Sequence, residues 1–308
     1  MWAPETDIRV LASCAPCQPF SSYRRGVDTS GERQWPLVDE VRRLVDATLP
    51  EIVTMENVPR IVSAPVFNRF VDALKELGYF VDVKSCYCPA YGVPQHRRRL
   101  VLLASRLGEI KVPPGHLAPE AYPTVRDAIY DLPPVAHGQT HPDDPLHKSR
   151  TLTHINLARI RHSVPGGTWE DWPEELRAPC HRKASGRTFR NVYARMVWDE
   201  PSPTITTMAY NFGTGRFGHP EQDRALTLRE AANLQSFPPD YEFVSPDGSV
   251  QFAPLGRLIG NAVPPLLGAA IGRAIVEHAN SARSGHPGES APARISTATT
   301  LRDLVPSG

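Results

Sequence analysis

Short apolar runs alternate with amphipathic segments over the first hundred residues. Helical spacing of apolar residues predicts helices over 37–47 and 66–77, and Gly78 is the expected C-terminal stop of the second. Four runs have the length and composition of strands, at 8–12, 52–55, 79–87 and 99–105. Strand and helix alternate in chain order, so the pattern predicts an α/β domain with a mostly parallel sheet.

The periodicity fades from about Leu107 to Glu200, where prolines and histidines become frequent. A structureless loop of that length is improbable in a compact fold, so the stretch predicts a small domain or a long functional insertion. Thr227 and Glu230 then fit a capping box that opens a helix. The predicted domains are a catalytic part at 1–106, an insertion at 107–194, a return to the catalytic part at 195–280 and a disordered tail at 281–308.

The amino-acid composition indicates in which cellular compartment the protein works and what kind of partner it binds. The 308 residues suffice for one large or two smaller domains, and they contain no signal peptide and no apolar run near the length of a membrane span. Five cysteines are an odd, sparse set, typical of a cytosolic protein with reduced thiols. The net charge is only +1, but residues 177–196 carry six Lys and Arg without an acid. Together with basic runs at 97–106 and 147–162, this favours a basic groove over solvated faces.

The most informative motif is Pro-Cys-Gln-Pro-Phe-Ser at 16–21, directly after the first predicted strand. Loops that follow strand ends carry the chemistry of open α/β sheets. A thiol in such a turn, between Pro16 and Pro19, is a candidate covalent nucleophile, which makes Cys17 the first candidate residue. Three further segments strengthen the signal: Glu56-Asn57-Val58, Gln95-His96-Arg97-Arg98-Arg99 and Gly260-Asn261-Ala262-Val263-Pro264-Pro265.

Taken in order, these segments resemble the cytosine-C5 DNA methyltransferase family. The resemblance also includes the runs at 195–207 and 215–241, and it covers most of the chain outside residues 107–190 and the tail. It implies an α/β fold, an incomplete Rossmann-like sheet of the S-adenosylmethionine-dependent methyltransferases with an inserted small target-recognition domain. It also implies a cytoplasmic, nucleoid-associated protein that methylates C5 of cytosine in DNA.

The resemblance assigns a role to each motif. Cys17 would add to C6 of cytosine, because C5 alone is only weakly nucleophilic. Glu56 would control charge at N3 as a hydrogen-bonded or protonated acid. Arg97 and Arg99 resemble the pair that holds the cytosine O2 and stabilises the active loop, while Arg98 is expected to face away. The base must be flipped out of the duplex to be reached.

The cofactor contacts follow from the same resemblance, whereas the candidate phosphate contacts follow from the basic composition of residues 107–190. For S-adenosylmethionine, the matching residues are Pro16, Asn261, Ala262 and Val263. For double-stranded DNA, the candidates are Gln18, Ser21, Arg24 and Arg25 in a mobile loop at 21–35, and Arg182, Lys183, Arg187 and Arg190 as phosphate contacts. We expect target recognition within residues 107–190, and a cognate restriction endonuclease is a further expected partner.

One departure from the family concerns the cofactor. The family's glycine-rich loop and ribose-binding acid precede the Pro-Cys-Gln motif, whereas about a dozen residues precede it here. The expectation is a methyltransferase without its N-terminal cofactor-binding third. Truncation or a misassigned start is favoured over a separate polypeptide that supplies the missing part, and permutation is set aside because the tail has no glycine loop.

Other interpretations stay open beside this one. Cys14 and Cys17 with Cys86 and Cys88 have spacings found in zinc sites, although no zinc knuckle explains the residues after Cys17. No metal is expected, and the histidines at 137, 141, 147, 154 and 162 are interpreted as polar loop residues. A catalytically inactive homologue that only binds DNA and an enzyme that methylates tRNA are the alternative functions.

Overall fold

The computed structural model describes residues 7–15, 36–183, 190–245 and 248–285. They form two compact units, each described here by itself. The sheet unit comprises residues 7–15, 36–87, 98–115 and 268–285, and the loop-rich unit comprises residues 88–97, 116–183, 190–245 and 248–267. These divisions differ from the boundaries predicted near residues 107 and 195. Residues on both sides of position 195 share one core, in which Val125 and Leu146 pack with Met196 and Leu228.

Among the residues that the structure describes, the sheet unit contains four strands and two complete helices. These are β1 (Val10–Ser13), α1 (Pro36–Thr48), β2 (Ile52–Asn57), α2 (Pro65–Glu76), β3 (Phe80–Tyr87) and β4 (Arg98–Ser105). Every element predicted for the first hundred residues is therefore present, with ends shifted by one or two positions. Gly78 adopts φ +83°, the left-handed conformation expected after the C-terminus of α2.

The strand order is β1-β2-β4-β3, and the prediction of a mostly parallel sheet is wrong. In the described part of the sheet, β1 and β2 are the one parallel pair, whereas β4 is antiparallel to both of its neighbours. The reason lies in the connection between β3 and β4, which is residues 88–97 and contains a single 3-10 turn. A parallel return needs a crossover of a dozen or more residues, so β4 enters between β2 and β3 in the opposite direction.

One face of this sheet is covered by α1 and α2. Val45 of α1 and Phe67 and Phe70 of α2 are fully buried in a single cluster with Val53 and Leu102 of the sheet. Burial of each such side chain stabilises the fold by roughly 1.5–3 kcal/mol. This packing fixes the positions of β2 and β4 within the sheet unit. These two strands carry candidate site residues.

The described residues of the loop-rich unit form short helices and a hairpin that pack around apolar clusters. Its elements are α3 (Val125–Ile129), β5 (Thr140–His141), β6 (Asp144–Lys148), α4 (His154–Arg161), α5 (Leu228–Leu234) and α6 (Phe252–Asn261), and the unit boundary falls inside α7 (Pro265–Arg283). The predicted capping box at Thr227 and Glu230 is confirmed by both reciprocal hydrogen bonds. Sequence reasoning missed α6, and α7 continues past the predicted tail boundary to Arg283.

Within the described residues, no single helix has the length and apolar character needed to cross a membrane. The consecutive helices α6 and α7 meet those two criteria only when counted together as a bent pair.

Candidate active site

Part of the predicted site falls outside the described residues. Those positions are Pro16, Cys17, Gln18, Ser21, Arg24, Arg25 and Arg187. The remaining candidates are distributed over the two units, and each group can be built from its own elements.

In the sheet unit, Glu56 and Arg99 form an ion pair. Glu56 lies opposite Val101 in the antiparallel pairing of β2 with β4, so Arg99, two residues along β4, is its diagonal neighbour on the same face. The Arg99 Nε atom is 2.5 Å from Glu56 Oε1, and the two side chains are 14% and 13% exposed. The sheet register therefore brings together two of the predicted catalytic residues, in a position that keeps the carboxyl group largely away from bulk water.

The strand that leads to Cys17 ends beside this pair. Ser13 lies next to Met55 in the parallel pairing of β1 with β2, so the chain leaves the sheet alongside Glu56 and Asn57. The Asn57 side chain donates a hydrogen bond to the Ala15 carbonyl at 3.0 Å, which fixes the last described residue before the motif. Desolvation raises the pKa of the Cys14 thiol, the Glu56 carboxylate raises it further, and Arg99 partly offsets both. At neutral pH Cys14 is thus a protonated thiol next to the ion pair.

Arg97 lies in the loop-rich unit and is 2% exposed. Its guanidinium donates hydrogen bonds to the carbonyl oxygens of Ile205 at 3.0 Å, Gly260 at 3.2 Å and Ala262 at 3.2 Å. Carbonyls in the last turn of a helix lack partners within the helix, and a cation there is favourable to the helix dipole. Arg97 therefore caps the C-terminus of α6 from the side, which the sequence did not predict.

Two buried glutamines extend the hydrogen bonds of Arg97 into a larger network. We call this network of Arg97, Gln95 and Gln235 the clamp. Gln95 Nε2 donates to Gln235 Oε1 at 2.8 Å, and Gln235 Nε2 donates to the Ile259 carbonyl of α6 at 2.6 Å. Gln95 Oε1 accepts from the Ile205 amide at 2.8 Å. Both amide side chains are fully buried, where an unsatisfied polar group would be costly, so the network holds one arrangement. Gln95 belongs to a motif quoted from the sequence, but only its burial identifies it as structural.

The predicted cofactor segment is held at the end of this clamp. Asn261 ends α6 with an exposed side chain, and Ala262 and Val263 are half-buried. Gly260 is required by close packing, because a Cβ atom there would lie 2.4 Å from the carbonyl carbon of Thr206. The segment is thus rigid at its backbone and open at the Asn261 amide.

The remaining basic candidates lie at the surface of the loop-rich unit. Arg182 and Lys183 are exposed, and Arg182 donates to the Glu174 carbonyl at 2.9 Å. Arg190 forms an ion pair with Glu170 at 3.2 Å. In the sheet unit, Arg98 is exposed and stacks 4.4 Å above the Tyr87 ring. Each of these side chains is accessible to a ligand in water.

The interpretation of the five histidines as polar loop residues needs correction, because His141 ends β5, His147 lies in β6 and His154 begins α4. His147 is 1% exposed and bonds to Thr227 Oγ1 at 2.9 Å and to the Pro133 carbonyl at 2.8 Å, so it is a core residue and not a polar loop residue. Its local sequence gave no sign of burial, because the partners are distant in sequence. Cys86 and Cys88 are buried thiols. Among the residues that the structure describes, no three His, Cys, Asp or Glu side chains are grouped as metal ligands would be.

The chain matches the family described as C-5 cytosine-specific DNA methylase over residues 3–277. It is 49% identical over 275 residues to the type II methylase M.HgiDII of Herpetosiphon aurantiacus, covering 88% of this chain and 77% of that protein. It is 28% identical over 328 residues to DNA (cytosine-5)-methyltransferase 3 of Arabidopsis thaliana, covering 88% of this chain and only 23% of the plant protein.

A solved structure supports the fold. The crystal structure described as a DNA modification methyltransferase encoded within an E. coli prophage superposes with a TM-score of 0.64 at 20% identity, covering 90% of this chain and 81% of that one. The architecture is thus a mixed α/β methyltransferase fold with a partial Rossmann-like sheet. Since the family match spans most of its length, the chain belongs to the C-5 cytosine-specific DNA methylase family.

Proposed function

We propose that this chain transfers a methyl group from S-adenosylmethionine to C5 of a cytosine flipped out of double-stranded DNA. The observation that carries the proposal is the placement of the Glu56–Arg99 pair beside the end of β1 at Ser13, three residues before Pro16 of the Pro-Cys motif. A carboxyl group held by an arginine at the point where a cysteine loop begins suits covalent chemistry on an electron-poor ring.

The proposed reaction uses this chain's residues as follows. The Cys17 thiolate adds to C6 of cytosine, and the displaced π electrons are shared between C5 and N3, where the protonated Glu56 carboxyl donates its proton. C5 would then take the methyl group of S-adenosylmethionine, with S-adenosylhomocysteine as the leaving group. Loss of the C5 proton to a base, return of the N3 proton to Glu56 and departure of the Cys17 thiolate from C6 restore the aromatic ring. Arg99 keeps the Glu56 carboxyl in place during both halves of this sequence.

Arg97 takes a different role in this proposal from that of its neighbour. Its hydrogen bonds to Gly260 and Ala262 point to a positioning residue, which fixes the segment that follows α6. The exposed Asn261 amide, together with Val263, would then hold S-adenosylmethionine, along with Pro16. The cofactor supplies an electrophilic methyl group. The fixed backbone and open amide of residues 260–263 fit one side of such a molecule.

We further propose that the other side of the cofactor is held by a segment that carries the family's glycine loop and acid. The sequence at 1–15 contains neither feature. Each lost polar contact is worth about 1 kcal/mol, so three or four missing contacts weaken binding by several hundred-fold. The loop-rich unit would recognise the DNA sequence, with phosphate contacts from Arg182, Lys183, Arg187 and Arg190, and a cognate restriction endonuclease would share the recognition sequence.

The test is covalent trapping on DNA that contains 5-fluorocytosine. Fluorine at C5 cannot leave as a proton does, so the adduct with Cys17 should persist and shift the protein on a denaturing gel. We expect the adduct only when S-adenosylmethionine and an upstream segment with the glycine loop, fused before Met1 or added separately, are both present. Mass spectrometry should place the DNA on Cys17.

Cys14→Ser is the matched control for Cys17→Ser. Both remove a thiol from the same short segment, but only the second should abolish the adduct, and it should leave DNA affinity within about twofold. A normal adduct in Cys17→Ser would overturn the proposed nucleophile. Tight cofactor binding by the unassisted chain in calorimetry would overturn the proposed second segment, and DNA binding without an adduct in any combination would favour an inactive DNA-binding homologue.

A further inference from the structure

Strand β2 ends with a polar residue at a position where the strand otherwise buries apolar side chains. Successive residues of a strand point to opposite faces, so Val53, Met55 and Asn57 share one face of the sheet. Val53 and Met55 belong to the core cluster to which α1 and α2 contribute, and Asn57 is 2% exposed. A buried amide is costly unless it is hydrogen-bonded, so the partners of Asn57 indicate what the residue does.

The Asn57 side chain is hydrogen-bonded at both ends of its amide. The Nδ2 atom donates to the Ala15 carbonyl at 3.0 Å, and the Oδ1 atom accepts from the Val58 amide at 2.9 Å. Because the Val58 N–H can only donate, it fixes which end of the side chain faces Ala15. The side chains of Ala15 and Val58 also pack against the core cluster, so both partners are held in place.

This hydrogen bond lies just beyond the end of the strand pairing. The parallel ladder of β1 with β2 ends where Ser13 lies beside Met55. Asn57 is two residues after Met55, and Ala15 is two residues after Ser13. The Asn57 side chain therefore holds the chain at the first point after the ladder where the backbone could otherwise diverge from β2.

Covalent geometry carries this constraint towards Cys17. A peptide group is planar, so the plane of the Ala15 carbonyl also contains the nitrogen and the Cα atom of Pro16. The ring of a proline restricts φ to about −65°. The next peptide plane reaches the Cα atom of Cys17. One soft backbone torsion, ψ of Pro16, therefore separates the carbonyl that Asn57 holds from the Cα atom of Cys17.

We propose that Asn57 is a positioning residue for the nucleophile, whose amide holds the backbone that carries Cys17. This inference rests on the proposed function, because it takes Cys17 as the residue that adds to cytosine. A misplacement of about 1 Å can slow an enzymatic step about 10²-fold. Loss of the hydrogen bond to Ala15 should therefore slow the attack of the thiolate and leave DNA affinity unchanged.

Asn57→Asp tests the hydrogen-bond donor, because its protonation can be controlled. A protonated carboxyl group can accept from the Val58 amide with one oxygen and donate to the Ala15 carbonyl with the other. The ionised group has no donor and repels that carbonyl. Burial favours the neutral form of a carboxyl group, so mild acid should restore the hydrogen bond. The neighbouring groups Cys14, Glu56 and Arg99 are the same in parent and variant, so the ratio of the two rates at each pH removes their titration.

The measurement is the rate of adduct formation on DNA that contains 5-fluorocytosine, with the enzyme assembled from this chain, the upstream segment and S-adenosylmethionine. Asn57→Leu removes the donor at every pH and should be slowed about 10²-fold throughout. Asn57→Asp should be slowed as much at about pH 8.5 but stay within about threefold of the parent at about pH 5.5. Fluorescence anisotropy should give a DNA affinity within about twofold of the parent's for both variants.

Asn233→Asp is the matched control. The Asn233 side chain also donates to a backbone carbonyl, that of Ala128 at 3.2 Å. Ala128 belongs to α3, which carries none of the proposed site residues. This variant should lower the melting temperature but form the adduct at the parent's rate across the pH range. Near-UV circular dichroism shows whether each variant is folded, and if Asn57→Leu is not, the pH dependence of Asn57→Asp decides alone.

The outcomes separate this inference from the proposed function. A ratio of the Asn57→Asp rate to the parent rate that does not rise as the pH falls would overturn the positioning role. The same pH-dependent loss in Asn233→Asp, or a folded Asn57→Leu enzyme within threefold of the parent, would overturn it as well. In each of these cases the parent's adduct would leave Cys17 standing as the nucleophile. A parent that forms no adduct under any condition would overturn the proposed function, and this inference with it.

Discussion

Arg97 and Arg99 are two residues apart in one motif, yet they lie in different units and have different partners. Arg99 in the sheet unit pairs with a carboxylate, and both side chains keep some exposure. Arg97 in the loop-rich unit is buried and binds carbonyl oxygens at the end of a helix. The first arrangement holds the carboxyl group that we propose to be reactive, while the second holds a backbone segment in place. Two residues of the same sequence motif can therefore have different structural roles.

Glu56 should give the largest effect, because the sheet unit's pair is the proposed chemical centre. In Glu56→Gln we expect kcat to fall by about 10²- to 10⁴-fold, the range for a positioned acid, with DNA affinity little changed. The rate of methyl transfer from labelled S-adenosylmethionine to DNA measures this with the assembled enzyme.

Glu51→Gln is the matched control within the same unit. Glu51 is also paired with an arginine, Arg9, whose side-chain hydrogen bond is the main reason that the pKa of Glu51 lies at about 2. Its loss should lower the melting temperature slightly and leave kcat unchanged. A Glu56→Gln enzyme within fivefold of the parent, or an equal loss in Glu51→Gln, would remove the distinction between reactive and structural pairs.

The second prediction compares how much the protein is destabilised when each of the two arginines is replaced. Arg97→Met leaves the carbonyls of Ile205, Gly260 and Ala262 without this donor, so the free energy of unfolding should fall by about 3 kcal/mol or more. No substitution at a single partner can restore it, because the partners are backbone. Arg99→Met should also destabilise, by leaving Glu56 without this partner, but in a Glu56→Gln background most of that loss should disappear.

Urea denaturation of the parent, Arg97→Met, Arg99→Met, Glu56→Gln and the Arg99→Met/Glu56→Gln double variant provides the measurement. If Arg97→Met unfolds within 1 kcal/mol of the parent, then the clamp at the end of α6 is not a stabilising element. If the Arg99 and Glu56 substitutions are strictly additive, then the ion pair contributes no interaction energy of its own.

The sequence predicts the sheet unit better than it predicts the loop-rich unit. The strands and helices of the first hundred residues could be predicted because apolar periodicity is local and strong. Glu56 and Arg99 could be identified from motifs, but their contact depends on the antiparallel register of β2 and β4. That register was not predictable from a pattern that favoured parallel strands, since it is set by the short connection before β4.

The loop-rich unit was less predictable because its structure depends on contacts distant in sequence. Gln95 and Gln235 are 140 positions apart, and nothing local marks either one as buried. Capping at Thr227 was the exception, because a capping box lies within four consecutive residues.

The smallest predicted effect is a dependence of stability on pH that is caused by a buried histidine of the loop-rich unit, His219. Burial is the main reason that the pKa of His219 falls to about 4. The ring is 2% exposed, and its Nδ1 atom accepts hydrogen bonds from the amides of Glu221 at 3.1 Å and Gln222 at 2.9 Å, which protonation of that atom would break. The Nε2 atom lies 3.7 Å from Glu230 Oε1, and this attraction does not overcome the burial.

An unfolded histidine titrates near pH 6.5. Between pH 6.5 and pH 4 the unfolded chain therefore binds a proton at His219 that the native protein does not, so stability falls as the solution becomes more acidic. The loss should be about 2 kcal/mol between pH 7 and pH 5. The Trp198 ring lies 5.3 Å from the His219 ring, edge to face, so its fluorescence should change near pH 4 in the native protein.

His219→Gln is the control, because glutamine does not titrate. This substitution should lower the free energy of unfolding at pH 7. It should also make that free energy depend less on pH between pH 7 and pH 5, and it should abolish the fluorescence change. Loss of stability below about pH 4.5 should remain in this variant, because Glu230 stays coupled to Arg224. Burial alone would raise the pKa of Glu230, but the charge and hydrogen bonds of Arg224 outweigh it and hold the value at about 2. A parent protein equally stable at pH 7 and pH 5 would show that His219 is not the group that makes the loop-rich unit sensitive to mild acid.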